Sequence, residues 1–422
     1  MLLRSASQAH IDSRFDILVA APLIKLITSG QTTQVITPDG QIESSEDPFH
    51  LLEKLQEKWL PKLDYQGELP FIGGALGYFS YDLGRRVELL PKIAQQDLAT
   101  PDMAVGLYQW AIVVDHHKKT AYVVGKDTST HYDWLMNQTS EPTLNFALAT
   151  EWQSNMTKQE YVDRFSKVKD YLNAGDCYQI NLAQRFKAQF VGCEWQAYKK
   201  LDEFNQGPFS AFIRTDNSVI LSVSPERFLQ VNNRHIEAKP IKGTRPRHTC
   251  IDIDSAHAHE LANAEKDHAE NLMIVDLLRN DIGRVAKPGT VHVPKLFDIE
   301  SFPAVHHLVS TIRAELDERY SPTDLLRASF PGGSITGAPK IRAMEIIEEL
   351  EPHRRSAYCG SIGYISRHGV MDTSITIRTL IAEANHLYVW AGGGLVADSK
   401  SCAEYQETLD KLCRILPVLE EN

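Results

Sequence analysis

The chain is 422 residues long, 43% hydrophobic and 23% charged, with a formal net charge of −11 and a sequence pI near 5.8. That composition belongs to a soluble globular protein with a substantial core, and its acidic balance excludes a general nucleic-acid binder or a polybasic membrane patch. No apolar run approaches the roughly 18 residues that span a bilayer. The opening MLLRSASQAHIDSR is too short and polar for the apolar region of a secretory signal. Six cysteines (177, 193, 250, 359, 402 and 413) are scattered without a CxxC pair. This spacing fits reduced, mostly buried thiols of a cytoplasmic protein better than disulfides or zinc.

In chain order, residues 1–130 read as an N-terminal, strand-rich part. Within it QWAIVVDHHKKTAYVVG (109–125) is a hairpin around a charged turn. The polar TSTHYDWLMNQTSEPTLN (128–145) reads as a linker into residues 150–422. There Thr157 and Glu160 have capping-box spacing and open a helix that runs to Gly175. SVILSVSPERFLQVNNRHIEAKPIKG (218–243) reads as two strands around an Asn-Asn turn. Residues 258–286 read as one long helix, 321–330 as a short one, and 338–352 as another, with Pro339 near its first position and Pro352 ending it. Residues 373–383 and 386–396 read as strands, and 402–421 as the closing helix. Antiparallel hairpins with separate long helices predict an α+β fold.

Several residues stand out chemically. Glu270 leads an apolar helical stripe (Met273, Ile274, Leu277), with Leu272 and Val275 covering the other side, so its turn is expected to be buried. A buried carboxylate must be paired or hold a metal, and an ordinary salt bridge satisfies that as well. The closing helix has a core stripe (Tyr405, Leu409, Leu412, Leu416, Leu419) and beside it Glu404, Glu407 and Lys411. These three read equally as a solvated ion pair. Carboxylates from two helices together with a substrate oxygen suit Mg²⁺.

FPGGSITGAPK (330–340) precedes a helix and is a candidate anion loop, although Ala-Pro stands where a Walker motif requires Lys-Ser/Thr. WAGGGLVADS (390–399) is a second candidate nest of amides. Arg378, on a strand between apolar neighbours, fits a dicarboxylate ligand. Around the Asn-Asn turn, register decides the geometry. A three-residue turn sets Glu226 and Lys242 on one face as an acid and a nucleophilic amine, whereas a two-residue turn sets them on opposite faces.

Taken together, GGALGYFSYDLGRR, GDCYQINLAQRF, SPERF, PIKGT, AENLMIVDLLRNDIGR, VHHLVS, FPGGSITGAPK, GSIGYIS, DTSITIRT and AGGGLVADS resemble the chorismate-utilising enzymes, from about residue 14 onward. The resemblance implies one large domain with antiparallel sheets packed face to face and helices outside. It implies Mg²⁺ held by Glu270 and Glu407 with Glu404 nearby. Tyr358, Arg378, Gly392, Gly393 and Gly394 would take one carboxylate of chorismate. Gly243, Thr244, Thr336 and Lys411 would make further polar contacts, and His307 would flank the ring. Lys242 would be the nucleophile and Glu226 the general acid.

The lysine in PIKGT marks the branch that aminates chorismate at C4; an alanine there marks the anthranilate-forming branch, which is the alternative. Members that add water carry a lysine where this chain has Gln179. No cysteine lies in a Gly-x-Cys-x-Gly context, so ammonia would come free or from a separate glutaminase subunit. The resemblance also implies that a first strand and helix before Met1 are missing, and it points to a tryptophan pocket at Ser5, Pro208, Phe209 and Ser210.

Overall fold

Strand-forming runs dominate the chain, and in the computed structural model, which describes residues 1–5, 13–139, 144–301 and 305–421, they pair into two sheets. Each sheet has twelve strands among the described residues. The first runs from Gln179–Val191 through His386–Leu395, Thr379–Glu383, Val219–Ser224 and Phe209–Arg214 to the N-terminal strands Leu2–Arg4, Phe15–Leu18, Trp110–Asp115 and Thr120–Gly125. The second runs from Ile241–Pro246 through Val305–Glu315, His235–Ala238, Arg227–Asn232, Met371–Ile375 and Ser361–Ser366 to Gly74–Phe79 and Met103–Tyr108, ending on Ile24–Ser29, Thr32–Thr37 and Gly40–Ser44. Both sheets therefore mix strands from before residue 130 and after residue 150.

The inner faces share one core. Ile213, Ile220 and Trp390 of the first sheet pack into the same cluster as Leu26, Val105, Leu229 and Met371 of the second, the arrangement of an antiparallel sandwich. Helices cover the outer face of the first sheet: Glu194–Asn205 buries Ala197, Tyr198 and Leu201, and Lys158–Ala174 buries Tyr161, Phe165 and Val168. This second helix has the expected ends, with a Thr157–Glu160 capping box and Gly175 left-handed at φ 82°. The 109–125 hairpin also forms as expected, with Trp110–Asp115 paired to Thr120–Gly125.

Five readings are corrected. The expected linker holds a helix, Thr128–Met136, that buries no residue; His131 stacks on Trp110 at 4.1 Å and Trp134 meets it edge-on, so ring contacts stand in for an apolar stripe. Residues 140–143 of that stretch lie outside the described residues. The expected long helix is two, Ile251–Ala262 and Glu265–Gly283, because the Asn263 side chain donates to the His259 carbonyl and closes the first. The closing helix also breaks, into Ser401–Asp410 and Leu416–Glu420, with Pro417, which has no N–H to bond back to the preceding turn, in the first turn of the second. The 373–383 run is two strands in different sheets. Pro339 sits one residue before the helix Lys340–Leu350 rather than inside it.

One ion pair lies wholly inside. Arg355 is 1% exposed and Glu351 4%. The guanidinium donates to both carboxylate oxygens (2.9 and 2.7 Å), to the Ile335 carbonyl (2.9 Å) and to the Asn181 carbonyl (2.6 Å), while the Ala183 N–H donates to Glu351 (2.9 Å). A fully hydrogen-bonded buried pair holds its neighbours in place, and removing one partner strands the other. Replacing Arg355 by Met is expected to destabilise the fold by about 3–5 kcal/mol in urea unfolding. A loss below about 1 kcal/mol would mean the pair is not a structural anchor.

Candidate active site

Two strand breaks lead to the same place. Val219–Ser224 belongs to the first sheet and Arg227–Asn232 to the second, so Pro225 and Glu226 form the crossover between them. Met371–Ile375 and Thr379–Glu383 make the reverse change through Thr376, Ile377 and Arg378. The crossovers are stitched together: the Ile375 N–H donates to the Glu226 carbonyl and the Val223 N–H to the Arg378 carbonyl, each at 3.1 Å, and the Ser224 hydroxyl donates to the Ile375 carbonyl at 2.6 Å. Strands that switch sheets make the corners of a sandwich. Here two adjoining corners bring Glu226 and Arg378 within electrostatic reach of each other.

Glu226 is 9% exposed. Burial raises its carboxyl to about 7, against the opposing pull of Lys242, Lys411, the Ser334 hydroxyl and Arg378. Burial, reinforced by Arg414, lowers the Arg378 guanidinium below its usual value. No hydrogen bond or ion pair holds that guanidinium among the described residues. A partly buried, unengaged arginine is a ready anion receptor.

The Asn-Asn turn is the two-residue form. Asn232 pairs with His235 and Val231 with Ile236, with Asn233 and Arg234 left-handed at φ 47° and 64°. An ideal hairpin in that register would separate Glu226 from Lys242. The hairpin is not continued, however: its pairing ends at Gln230 and Glu237, and Ile241–Pro246 pairs with Val305–Glu315 instead. Pro225 and Pro240 free both ends, and Lys242 acts electrostatically on Glu226 and on Glu270. Its Nζ lies 3.9 Å from the Glu270 carboxylate.

Gly243 forms a bulge at φ 76°, between the pairs Lys242–Leu308 and Thr244–His307. A Cβ there would also meet the Asp267 and Leu261 side chains at 2.8 Å, but these ends can shift, so it is the positive φ that favours glycine. Thr244 Oγ1 and His307 Nδ1 share a hydrogen bond of 2.8 Å, one step beyond the bulge from Lys242.

The three predicted metal carboxylates converge on a lysine. Lys266 Nζ stands 3.7 Å from Glu270 and 3.6 Å from Glu404. Partial burial works against its charge, but Glu270, Glu404 and Glu407 outweigh that and raise its pKa. Burial raises the Glu270 carboxyl despite Lys242 and Lys266. Burial likewise opposes ionisation of Glu407, yet Lys411, 2.7 Å away, with Lys242 and Lys266, sets it below the ordinary range. A side chain grafted on Gly393 would lie 3.1 Å from Glu404 and 3.5 Å from Glu407, so both carboxylates lie over that glycine. Among the described residues no three such groups close to coordinating distance. Leu272, expected to be buried, is 46% exposed, leaving one side of the Glu270 turn open to water.

The glycine-rich runs differ from expectation. Gly392–Gly394 lie in a regular ladder opposite Ala183, Leu182 and Asn181, so they form no nest. Their other edge is open, because Thr379–Glu383 pairs with that strand only as far as Val389. Lys411 donates to the Gly392 carbonyl at 2.7 Å. In the 330–340 loop the Ile335 and Thr336 amides turn back onto Gly332 and Gly333, and the Thr336 hydroxyl donates to the Gly332 carbonyl at 3.0 Å. Two of its amides are thus spent internally, and it brings Ser334 beside Glu226. Tyr358 is buried, its ring stacked parallel to Trp390 at 6.4 Å with Arg355 over it. Both ends of the buried Gln179 carboxamide lack a partner among the described residues.

Ser5, Pro208, Phe209 and Ser210 do meet. They line a cavity of about 90 Å³ with Arg4, Tyr364 and Asp372, where Arg4 pairs with Ser210 across the sheet. Sequence reasoning missed Ser334, Lys266 and the Glu351–Arg355 pair. The last two were visible as i,i+4 charge pairs, a spacing too common to single out.

This geometry has counterparts. The family model for chorismate binding enzymes matches residues 6–417. The chain is 56% identical over 421 residues to aminodeoxychorismate synthase component 1 of Salmonella typhimurium, covering 100% of this chain and 93% of that one. It is 36% identical over 397 residues to anthranilate synthase component 1 of Thermus thermophilus, covering 92% and 85%. The crystal structure of anthranilate synthase component I from Streptococcus pneumoniae superposes with a TM-score of 0.85 at 31% identity, over 96% of this chain and 93% of that one. The face-to-face antiparallel sheets, the site where their strands cross over and a family match across nearly the whole chain lead to one conclusion: this protein belongs to the chorismate binding enzymes.

Proposed function

We propose that the protein aminates chorismate to 4-amino-4-deoxychorismate, through Lys242 as nucleophile and Glu226 as general acid. The observation that carries this reading is Lys242 lodged between two largely buried carboxylates, Glu226 and Glu270, one of them with its pKa raised to about 7. The greater similarity to an aminodeoxychorismate synthase than to an anthranilate synthase supports the choice of branch.

Neutral Lys242 attacks ring C2; the ring double bonds shift and the C4–O bond breaks, its oxygen leaving as water with the proton of Glu226. Ammonia then bonds to C4, the double bonds shift back, the C2–N bond breaks and Lys242 is released. A proton from the new C4 ammonium restores Glu226. The sum is chorismate plus ammonia giving 4-amino-4-deoxychorismate and water, with one hard displacement divided into two. Arg378 and the open edge of Gly392–Gly394 receive a carboxylate, Tyr358 walls the pocket, and Gly243, Thr244, Thr336, His307 and Lys411 complete its polar lining.

The carboxylates around Lys266 fit a magnesium ion, since a hard cation already stands among them as an ammonium and Mg²⁺ needs only one or two carboxylates beside substrate oxygens. Glu270, Glu407 and Glu404 would hold it, and it would neutralise the ring carboxylate. Ammonia would come from a separate glutaminase subunit, and the setting is cytoplasmic; among the described residues no helix is long and apolar enough to cross a membrane. The cavity at Ser5, Pro208, Phe209 and Ser210 is proposed to take tryptophan.

Incubation with chorismate, Mg²⁺ and ammonium is expected to yield 4-amino-4-deoxychorismate on chromatography with mass detection; anthranilate as main product would sink the assignment. Without ammonia, intact-protein mass spectrometry should find an adduct on Lys242 that Lys242→Ala abolishes. The rate of that adduct gives the pH test free of ammonia's own titration. Because the step uses a protonated Glu226 and a neutral Lys242, its rate should rise with pH and level off above about 7, where Glu226 gives up its proton. Glu226→Gln should remove that levelling and slow the step by about 10²–10⁴-fold. A levelling unchanged in Glu226→Gln would assign the proton to another group.

A further inference from the structure

Asn271 and Ser310 are both fully buried, and apolar packing does not explain them. The Ser310 hydroxyl donates to Asn271 Oδ1 at 2.5 Å and accepts from the Phe297 N–H at 3.1 Å. The Asn271 Nδ2 reaches the Pro240 carbonyl at 3.5 Å, and the Ser310 N–H donates to the same carbonyl at 3.3 Å. The Ser310 hydroxyl, the Ser310 and Phe297 N–H groups and the Asn271 amide each meet an acceptor. A leucine at 271 would fill the same space, so the amide's contribution is direction, the property that satisfied buried polar networks supply. Asn271 is next to Glu270, and Pro240 is two residues before Lys242. The circuit therefore ties the helix carrying Glu270 to the start of the strand carrying Lys242, on a backbone that also pairs with Val305–Glu315 and its His307.

We propose that Asn271 and Ser310 are positioning residues for Lys242, holding its Nζ in place beside Glu270 and Glu226. Their importance to turnover rests on the covalent reading above; their effect on the placement of Lys242 does not. Strands that bulge, as this one does at Gly243, lose ladder hydrogen bonds, so the start of Ile241–Pro246 depends on what holds Pro240.

Three variants separate the parts. Ser310→Ala removes the hydroxyl, Asn271→Asp keeps an acceptor for Ser310 but loses the donor to Pro240, and Ser310→Thr restores the hydroxyl. Placement is read by acetylating the intact protein briefly with an N-hydroxysuccinimide ester and quantifying Lys242 by peptide mass spectrometry against Lys340. In Ser310→Ala and Asn271→Asp, Lys242 labelling should change at least about threefold, with Lys340 unchanged and Ser310→Thr close to the wild type. For turnover, kcat should fall at least about tenfold in the first two variants, while the KM for chorismate stays within about twofold. Unchanged Lys242 labelling overturns the proposal, as does a fall in kcat that comes with equal loss of KM and melting temperature. If the wild type forms no adduct and no aminated product, the covalent reading fails, and labelling alone decides the placement.

Discussion

The buried Glu351–Arg355 pair is the constraint on which the site is assembled. Its five partners come from several parts of the chain: the Gln179–Val191 strand through Asn181 and Ala183, the 330–340 loop through Ile335, and the rings of Tyr81 and Tyr358 packed over the guanidinium. An arginine so far from water is tolerable only with every donor used. Satisfying it brings the loop, the strand and Tyr358 to one point. Ser334 then reaches Glu226 because the loop that carries it is pinned at Ile335.

The second element is the double crossover. A sandwich whose strands stayed in their own sheets would close its interior with side chains. By exchanging sheets at residues 225–226 and again at 376–378, the chain instead sets Glu226 and Arg378 within electrostatic reach of each other between the sheets. The same event leaves one edge of Gly392–Gly394 without a partner strand, since the neighbour has left for the other sheet. Fold and site are thus one feature: the interruption that costs backbone pairing leaves an open strand edge beside the charged groups.

This explains which parts were legible in advance. The Thr157–Gly175 helix could be read because its capping box, apolar spacing and terminal glycine agree locally. The residue types of the site and the family could be read from the motifs. Register could not: the argument over Glu226 and Lys242 assumed a hairpin continued past Pro225 and Pro240, and long-range pairing with other strands ended it. Nor could TSITIRT reveal a change of sheet, since both halves have the same strand-like pattern. The glycine runs illustrate the opposite error. Composition suggested amide nests, whereas in one case a ladder occupies one edge of the run and in the other a turn closes on two of its own amides.

Charge balance accounts for the lysines that surround the site. Glu226, Glu270, Glu404 and Glu407 face Lys242, Lys266, Lys411 and Arg378 in one connected field. With Glu226 protonated, the pocket carries a slight positive excess, which draws in a dicarboxylate but does not neutralise it. A magnesium ion, if held as proposed by the carboxylates around Lys266, would supply the remaining positive charge. It would also compete with Lys242 for the Glu270 carboxylate and so loosen that ion pair. The ion pairs seen here are the resting balance of a site built to be completed by an anionic ligand.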